Sequence, residues 1–283
     1  MAETPSPREL LERHRLRAKH PFGQNFLADA GIARKIAELA TTPPGGTVVE
    51  IGAGLGALTR PLLERASRVI AIERDRDLVP ALGEEFRSAI DAGSLSLVEA
   101  DAKQVDYAAL LDGAATPKAI AGNLPYQLTG PLLRLAVDHA RRFDRAVYMV
   151  QLEVAERLVA KASEPEYGAL TVFVNAAFTV ERKLLVRRGA FYPQPRVDSA
   201  VVVLTPREVP LCDETDEFRA VVKAAFSQRR KTLRNAWRAL PGMNEERLAS
   251  AAAGAGIDLD ARGETLDAAA FARMASELTR SRS

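Results

Sequence analysis

Three carboxylates and a glycine-rich turn carry the first chemical signal in this chain. The segment Glu50-Ile51-Gly52-Ala53-Gly54-Leu55-Gly56 ends an apolar run and opens a helix-like stretch. Glycines in such a turn let the backbone bend sharply and approach a ligand with no Cβ in the way. Glu73 ends the next apolar run, where a carboxylate suits both hydroxyls of a ribose, and Asp101 follows the third. Acids at the carboxyl ends of successive strands face a single ligand crevice. Two cofactors compete for it. Gly52-x-Gly54-x-x-Ala57 satisfies a relaxed dinucleotide fingerprint, which keeps NAD open. Glu50 argues the other way, because a carboxylate there repels a pyrophosphate but suits the amino and sulfonium charges of S-adenosylmethionine (SAM). Asp101 similarly suits an adenine amine. The residues favour SAM without excluding NAD.

Asn123-Leu124-Pro125-Tyr126 ends a fourth run and resembles the N/D-P-P-Y/F/W class of motif by which amino-methyltransferases grip an exocyclic nitrogen. An adenine amine is a poor nucleophile because its lone pair is delocalised into the ring. Two acceptors on that amine, the Asn123 side-chain oxygen and the Leu124 carbonyl, favour a pyramidal nitrogen whose lone pair points at an incoming methyl group. Pro125 fixes the turn. Tyr126 is expected to stack on the base and Phe191 to close its other face, although aromatic side chains more often pack cores. Such chemistry needs alignment more than a strong base, in keeping with a chain of three histidines. The base must be single-stranded or flipped to enter.

These groups need a scaffold. The runs at 47–51, 68–73, 94–100 and 118–123 read as buried strands, and 145–151, 169–178 and 199–204 extend the series. Helix-like segments at 58–65, 78–88 and 130–140 alternate with them, which predicts an α/β, doubly wound, mostly parallel sheet. After Thr205-Pro206 no strand pattern follows, and 217–240, 244–253 and 267–278 read as helices. The expected division is a catalytic domain over 1–206, with 1–20 as a loose arm, and a small all-helical domain over 207–283.

Composition sets the outer limits. At 47% hydrophobic and 27% charged, 283 residues bury a real core. No apolar stretch approaches the roughly 18 residues of a membrane helix, and the N-terminus lacks the apolar core of a signal peptide, so a cytoplasmic protein is expected. A single cysteine excludes an internal disulfide framework, and with so few histidines no metal site is expected. The net charge is only +2, but Phe218 to Arg238 holds seven bases (Arg219, Lys223, Arg229, Arg230, Lys231, Arg234 and Arg238) and no acid. As one helix this segment would present a basic stripe fit for RNA phosphates; a break near Ser227-Gln228 would spoil the stripe.

Further blocks raise the resemblance from class to family. Phe22-Gly23-Gln24-Asn25-Phe26-Leu27, the run from Phe191 to Ala200 and the run from Phe226 to Asn235 stand in collinear order with the glycine turn and Asn123-Leu124-Pro125-Tyr126. Together they resemble the rRNA adenine dimethyltransferases over residues 20–275, and the third block is similar to that of the housekeeping small-subunit enzymes. The resemblance implies a Rossmann-like SAM-dependent methyltransferase that dimethylates two adjacent adenosines in the 3′-terminal hairpin of small-subunit rRNA. Its partner would be the small ribosomal subunit or its precursor, met by a monomer with a role in subunit biogenesis. It implies SAM contacts at Asn25, Leu27, Gly52, Gly54, Glu73, Asp101 and Asn123; Asn123, Leu124, Pro125, Tyr126 and Phe191 are the catalytic candidates, and the charge of the basic segment offers Arg229, Arg230, Lys231 and Arg234 for RNA contacts. The sequence departs from the family at His20-Pro21, where a basic residue is expected, and at Ala53, where proline is common. The rivals are a large-subunit rRNA dimethyltransferase, a non-catalytic assembly factor on the same fold and, more distantly, an NAD-dependent dehydrogenase.

Overall fold

Strands rich in Val, Ile and Ala with no polar alternation must be covered on both faces, and they are. The computed structural model describes residues 5–19, 23–227 and 230–280. Its strands are β1 (Phe26–Leu27), β2 (Thr47–Ile51), β3 (Arg68–Glu73), β4 (Leu95–Glu99), β5 (Lys118–Asn123), β6 (Arg145–Gln151), β7 (Phe178–Val186), β8 (Phe191–Tyr192) and β9 (Ser199–Pro206). Among the described residues, seven of them form one sheet in the order β4-β3-β2-β5-β6-β9-β7, and β1 pairs separately with β8. The run β4-β3-β2-β5-β6 is parallel, and β9 lies antiparallel on β6. The order reverses between β3-β2 and β5, so the ligand crevice of such a sheet opens beyond the carboxyl ends of β2 and β5. Glu50 and Asn123 stand there.

By residue contacts the chain divides into two units, 1–155 with 181–206, and 156–180 with 207–283. The first holds the sheet core around Ile36, Val48, Leu62, Val69, Val147 and Val201. The second is built on Trp237, Phe218, Leu248, Phe271 and Met274. Its helices are Asp216–Ser227, Leu233–Trp237, Glu245–Ala255 and Ala268–Arg280, with Ala169–Ala177 beside them. The Trp237 indole N–H donates to the Val221 carbonyl at 2.9 Å, so its one polar atom is satisfied in the core.

The structure differs from the sequence reading in four places. The described part of the expected loose arm, 5–19, is ordered: Pro7–Arg13 is a helix, capped by Ser6 and Glu9 in a reciprocal capping box. Its Leu10 and Leu11 pack with Phe26, Leu55 and Leu78. The segment 169–178 is a helix over Ala169–Ala177, not a strand. Burial of Thr171, Val172 and Val174 in the second unit outweighs the strand preference of β-branched residues. The helical unit accordingly takes in 156–180, which the sequence reading had assigned to the catalytic domain. The stretch 217–240 holds two helices, Asp216–Ser227 and Leu233–Trp237, with 230–232 between them non-helical. The Leu233 and Arg234 amides donate to the Ala261 and Leu259 carbonyls at 2.9 and 2.8 Å, which ties the chain to a neighbouring turn instead of continuing the helix. The single basic stripe is therefore absent.

Candidate active site

The turn after β2 is locked to β3 by its own amides. Gly52, Gly54 and Gly56 have φ of +72°, +61° and +80°, a region that disfavours any residue with a Cβ. A Cβ on Gly56 would lie 2.2 Å from the Phe86 ring. The Gly52 and Ala53 amides donate to the Ile72 carbonyl at 2.9 and 3.2 Å, and Gly56 donates to Ala53 at 2.8 Å. The Gly54 amide donates to Glu73 Oε2 at 2.8 Å. Four amides that would otherwise cradle a pyrophosphate are thus spent inside the protein, which weighs against a dinucleotide.

The acids differ in environment. Glu50 is 1% exposed and accepts from Thr59 Oγ1 at 2.7 Å. Burial pushes its carboxyl up to about 7, against the Thr59 hydrogen bond and helped by the nearby Glu73 charge. Glu73 is 8% exposed, and its Oε1 accepts the Asp75 amide at 2.7 Å. Desolvation raises its pKa, and backbone donors at Asp75, Gly54 and Arg74 oppose the shift. Three backbone donors on a carboxylate with about four acceptor sites leave one for a ribose hydroxyl. Asp101 lies within 3.6 Å of Arg74 Nη1 and 3.7 Å of Lys103 Nζ.

Across the crevice, Asn123 Nδ2 donates to the Asn25 carbonyl at 3.0 Å, and Asn25 Nδ2 donates to the Gly23 carbonyl at 3.0 Å. With its NH2 group so engaged, Asn123 turns its Oδ1 to other donors. The Leu124 amide donates to Met149 on the neighbouring strand at 3.0 Å, Pro125 holds φ at −57°, and Tyr126 opens a 3₁₀ turn over Tyr126–Leu128. The Tyr126 hydroxyl lies 3.1 Å from Ser199 Oγ.

Asn25, Leu27, Gly52, Gly54, Glu73, Asp101, Asn123, Leu124, Pro125 and Tyr126 all line one cavity, together with Glu50. The space they enclose, including its open mouth, is about 1090 Å³. Phe191 is not among its walls. Strand alternation turns Phe191 inward, 5% exposed in the sheet core, and leaves Tyr192 outward at 41%. The expectation that Phe191 closes the second face of the base is corrected accordingly. Phe22, His20, Pro21, Gln228 and Arg229 lie outside the described residues.

Several site residues escaped the sequence reading. Asp75, 2% exposed, accepts from Gln24 Nε2 at 2.6 Å and from Lys19 Nζ, and so ties the N-terminal block to the end of β3. Desolvation works to raise its pKa, but the Lys19 and Gln24 contacts hold it below the usual carboxylate range. Thr59 is the buried partner of Glu50. The capping pattern Ser6-Pro7-Arg8-Glu9 was the available signal for the helix that backs the cavity wall. Of the basic segment, Arg230 and Lys231 are exposed. Arg234 pairs with Glu245 and Asp260, acids that tertiary structure brings to it, and Arg219 pairs with its chain neighbours Asp216 and Glu214.

The family profile described as ribosomal RNA adenine dimethylase matches residues 15–280. The chain belongs to the ribosomal RNA adenine dimethylase family. A ribosomal RNA small subunit methyltransferase A from Anaeromyxobacter sp. (strain K) is 45% identical over 280 residues, covering 95% of this chain and 96% of the relative. One of the same name from Myxococcus xanthus is 42% identical over 270 residues, covering 94% of this chain and 93% of the relative. A crystal structure of a dimethyladenosine transferase from Plasmodium falciparum superimposes with a TM-score of 0.73 at 27% identity, covering 90% of this chain and 98% of that one. The 23S rRNA methyltransferase ErmE gives 0.65 at 28% identity, covering 90% and 100%. The protein is an rRNA adenine methyltransferase of Rossmann-like fold, and its cofactor is SAM. The residues present fit that cofactor: a turn whose glycines leave room for a close approach, acids for its ammonium and sulfonium groups, and a carboxylate with an acceptor site left for a ribose. Among the described residues no helix is long and apolar enough to cross a membrane.

Proposed function

We propose that this family member dimethylates the exocyclic amines of two adjacent adenosines in the 3′-terminal hairpin of small-subunit rRNA, acting as a monomer on the small subunit or its precursor. The observation that carries the mechanism is the Asn123–Asn25 hydrogen bond, which fixes the direction of the Asn123 amide. SAM supplies a sulfonium-activated methyl group; the protein's work is alignment. Asn25, Leu27, Gly52, Gly54, Glu73 and Asp101 hold the cofactor, Glu73 at the ribose and Asp101 at the adenine amine. In the first transfer Asn123 Oδ1 and the Leu124 carbonyl accept the target amine's two hydrogens and hold its lone pair toward the methyl group; in the second, one of them accepts the hydrogen that remains. Pro125 sets the carbonyl's direction, and Tyr126 stacks on the base. Glu50 faces the cofactor's cationic end from beneath the turn.

Two features favour the small subunit as substrate over the large. The relatives at 42–45% identity are named for the small subunit, and the block from Phe226 to Asn235 is similar to that of the housekeeping enzymes. Within that block Phe226 packs 5.7 Å from Phe271 and Leu233 is fully buried. This leaves Arg230 and Lys231, with Arg229, as the groups for RNA phosphates; Arg234 already has two acids beside it. Labelled SAM offered with unmethylated small subunits, and separately with unmethylated large subunits, tests the reading. Label in small-subunit adenosines alone is expected, and label in the large subunit would reassign the substrate.

A further inference from the structure

Stacking on a base requires an aromatic ring and no hydroxyl, yet the residue at the mouth of the base site is a tyrosine. Its hydroxyl is half-buried and 3.1 Å from the hydroxyl of Ser199, which is fully buried. Burial raises the Tyr126 pKa, so the phenol stays neutral and is no candidate for a base. Ser199 opens β9 and sits opposite Gln151 at the carboxyl end of β6. Since β6 lies between β5 and β9, the ring leaves the chain after β5, crosses the end of β6 and is pinned at its far end by β9.

The far anchor is itself fixed. The Asp198 carbonyl accepts the Leu152 amide at 3.0 Å. The Asp198 carboxylate accepts the Arg188 amide at 2.9 Å and Arg187 Nη1 at 2.8 Å. A tyrosine held only at its Cβ rotates about two side-chain bonds, whereas one held at both ends has already lost that freedom on folding. We propose that Ser199 is a positioning residue for methyl transfer: its hydrogen bond to Tyr126 holds the ring in the orientation that receives the target adenine. The inference rests on the reading of Tyr126 as the stacking platform.

Steady-state methyl transfer to unmethylated small subunits tests it, with melting temperature and SAM affinity confirming that each variant folds. Ser199→Ala and Tyr126→Phe should each lower kcat about three- to tenfold, the range of one neutral hydrogen bond, with KM for the subunit and SAM affinity unchanged. The double variant should be no worse than either single one, and Ser199→Thr should recover most of the loss. Tyr126→Ala should lose more, up to about a hundredfold. Wild-type kcat in Ser199→Ala, or additive losses in the double variant, overturns the proposal. If Ser199→Ala does not fold, Tyr126→Phe decides, and a wild-type kcat there overturns it equally. Full activity in Tyr126→Ala would remove the stacking reading and this inference with it; an inactive Tyr126→Ala beside a normal Ser199→Ala would remove this inference alone.

Discussion

Replacing Glu73 by glutamine changes one atom, and the structure says that the change is not conservative. Both carboxylate oxygens accept backbone amides, from Gly54 at 2.8 Å and Asp75 at 2.7 Å. A glutamine amide accepts from one of these and turns an NH2 group toward the other, donor against donor. One hydrogen bond to a charged group is lost in a site 8% exposed, worth about 1.5–3 kcal/mol. Removal of the desolvated charge returns part of that. The expected net cost is about 1–2 kcal/mol, which lowers the melting temperature by roughly 2–8 °C for a domain of this size. Loss of the charge-assisted contacts to the ribose should weaken SAM binding by a further factor of about 10–100. Differential scanning calorimetry without cofactor and titration calorimetry with SAM measure the two effects separately. A Glu73→Gln protein with wild-type melting and wild-type SAM affinity would show that these oxygens bear neither the turn nor the cofactor.

Three more outcomes are expected. Asn123→Ala should cut kcat by about a hundredfold or more while SAM affinity changes by less than tenfold, since the partner of Oδ1 is the target amine; equal losses in both would make Asn123 a cofactor residue only. Glu50 binds its proton more tightly folded than unfolded, because burial raises its pKa to about 7 from an ordinary 4.5, so its stabilising contribution is complete below about pH 4.5 and is lost as pH rises toward 7. Relative to Glu50→Gln, the wild type without cofactor should therefore lose up to about 3 kcal/mol between pH 5 and pH 8, and parallel stability curves for the two proteins would contradict a buried, proton-binding Glu50. Arg230→Glu combined with Lys231→Glu should weaken subunit binding and flatten its salt dependence by about two units of slope with SAM affinity intact, and an unchanged salt profile would move the RNA-docking surface elsewhere, with Arg182, Lys183, Arg187 and Arg188 next in line.

Much of this protein was legible without coordinates, because the groups involved act through local backbone geometry. Gly52 and Gly54 after one strand, Glu73 after the next and Asp101 after the third meet in one cavity because parallel strands carry their carboxyl ends to the same edge. Asn123-Leu124-Pro125-Tyr126 joins them for the same reason, on the other side of the switch point. What sequence could not decide was set by contacts between distant residues. The helix at Ala169–Ala177 reads as a strand until the core that surrounds its valines is known. Phe191 reads as a pocket wall until its strand's pairing with β1 turns it inward. The segment from Phe218 to Arg238 is rich in bases and free of acids along the chain, yet folding places Glu245 and Asp260 beside Arg234 and interrupts the helix at 230–232. The Tyr126–Ser199 contact joins residues 73 positions apart, across an intervening strand. Sequence specifies which groups each strand end carries; only the fold decides which of their charges are neutralised and which rings are held.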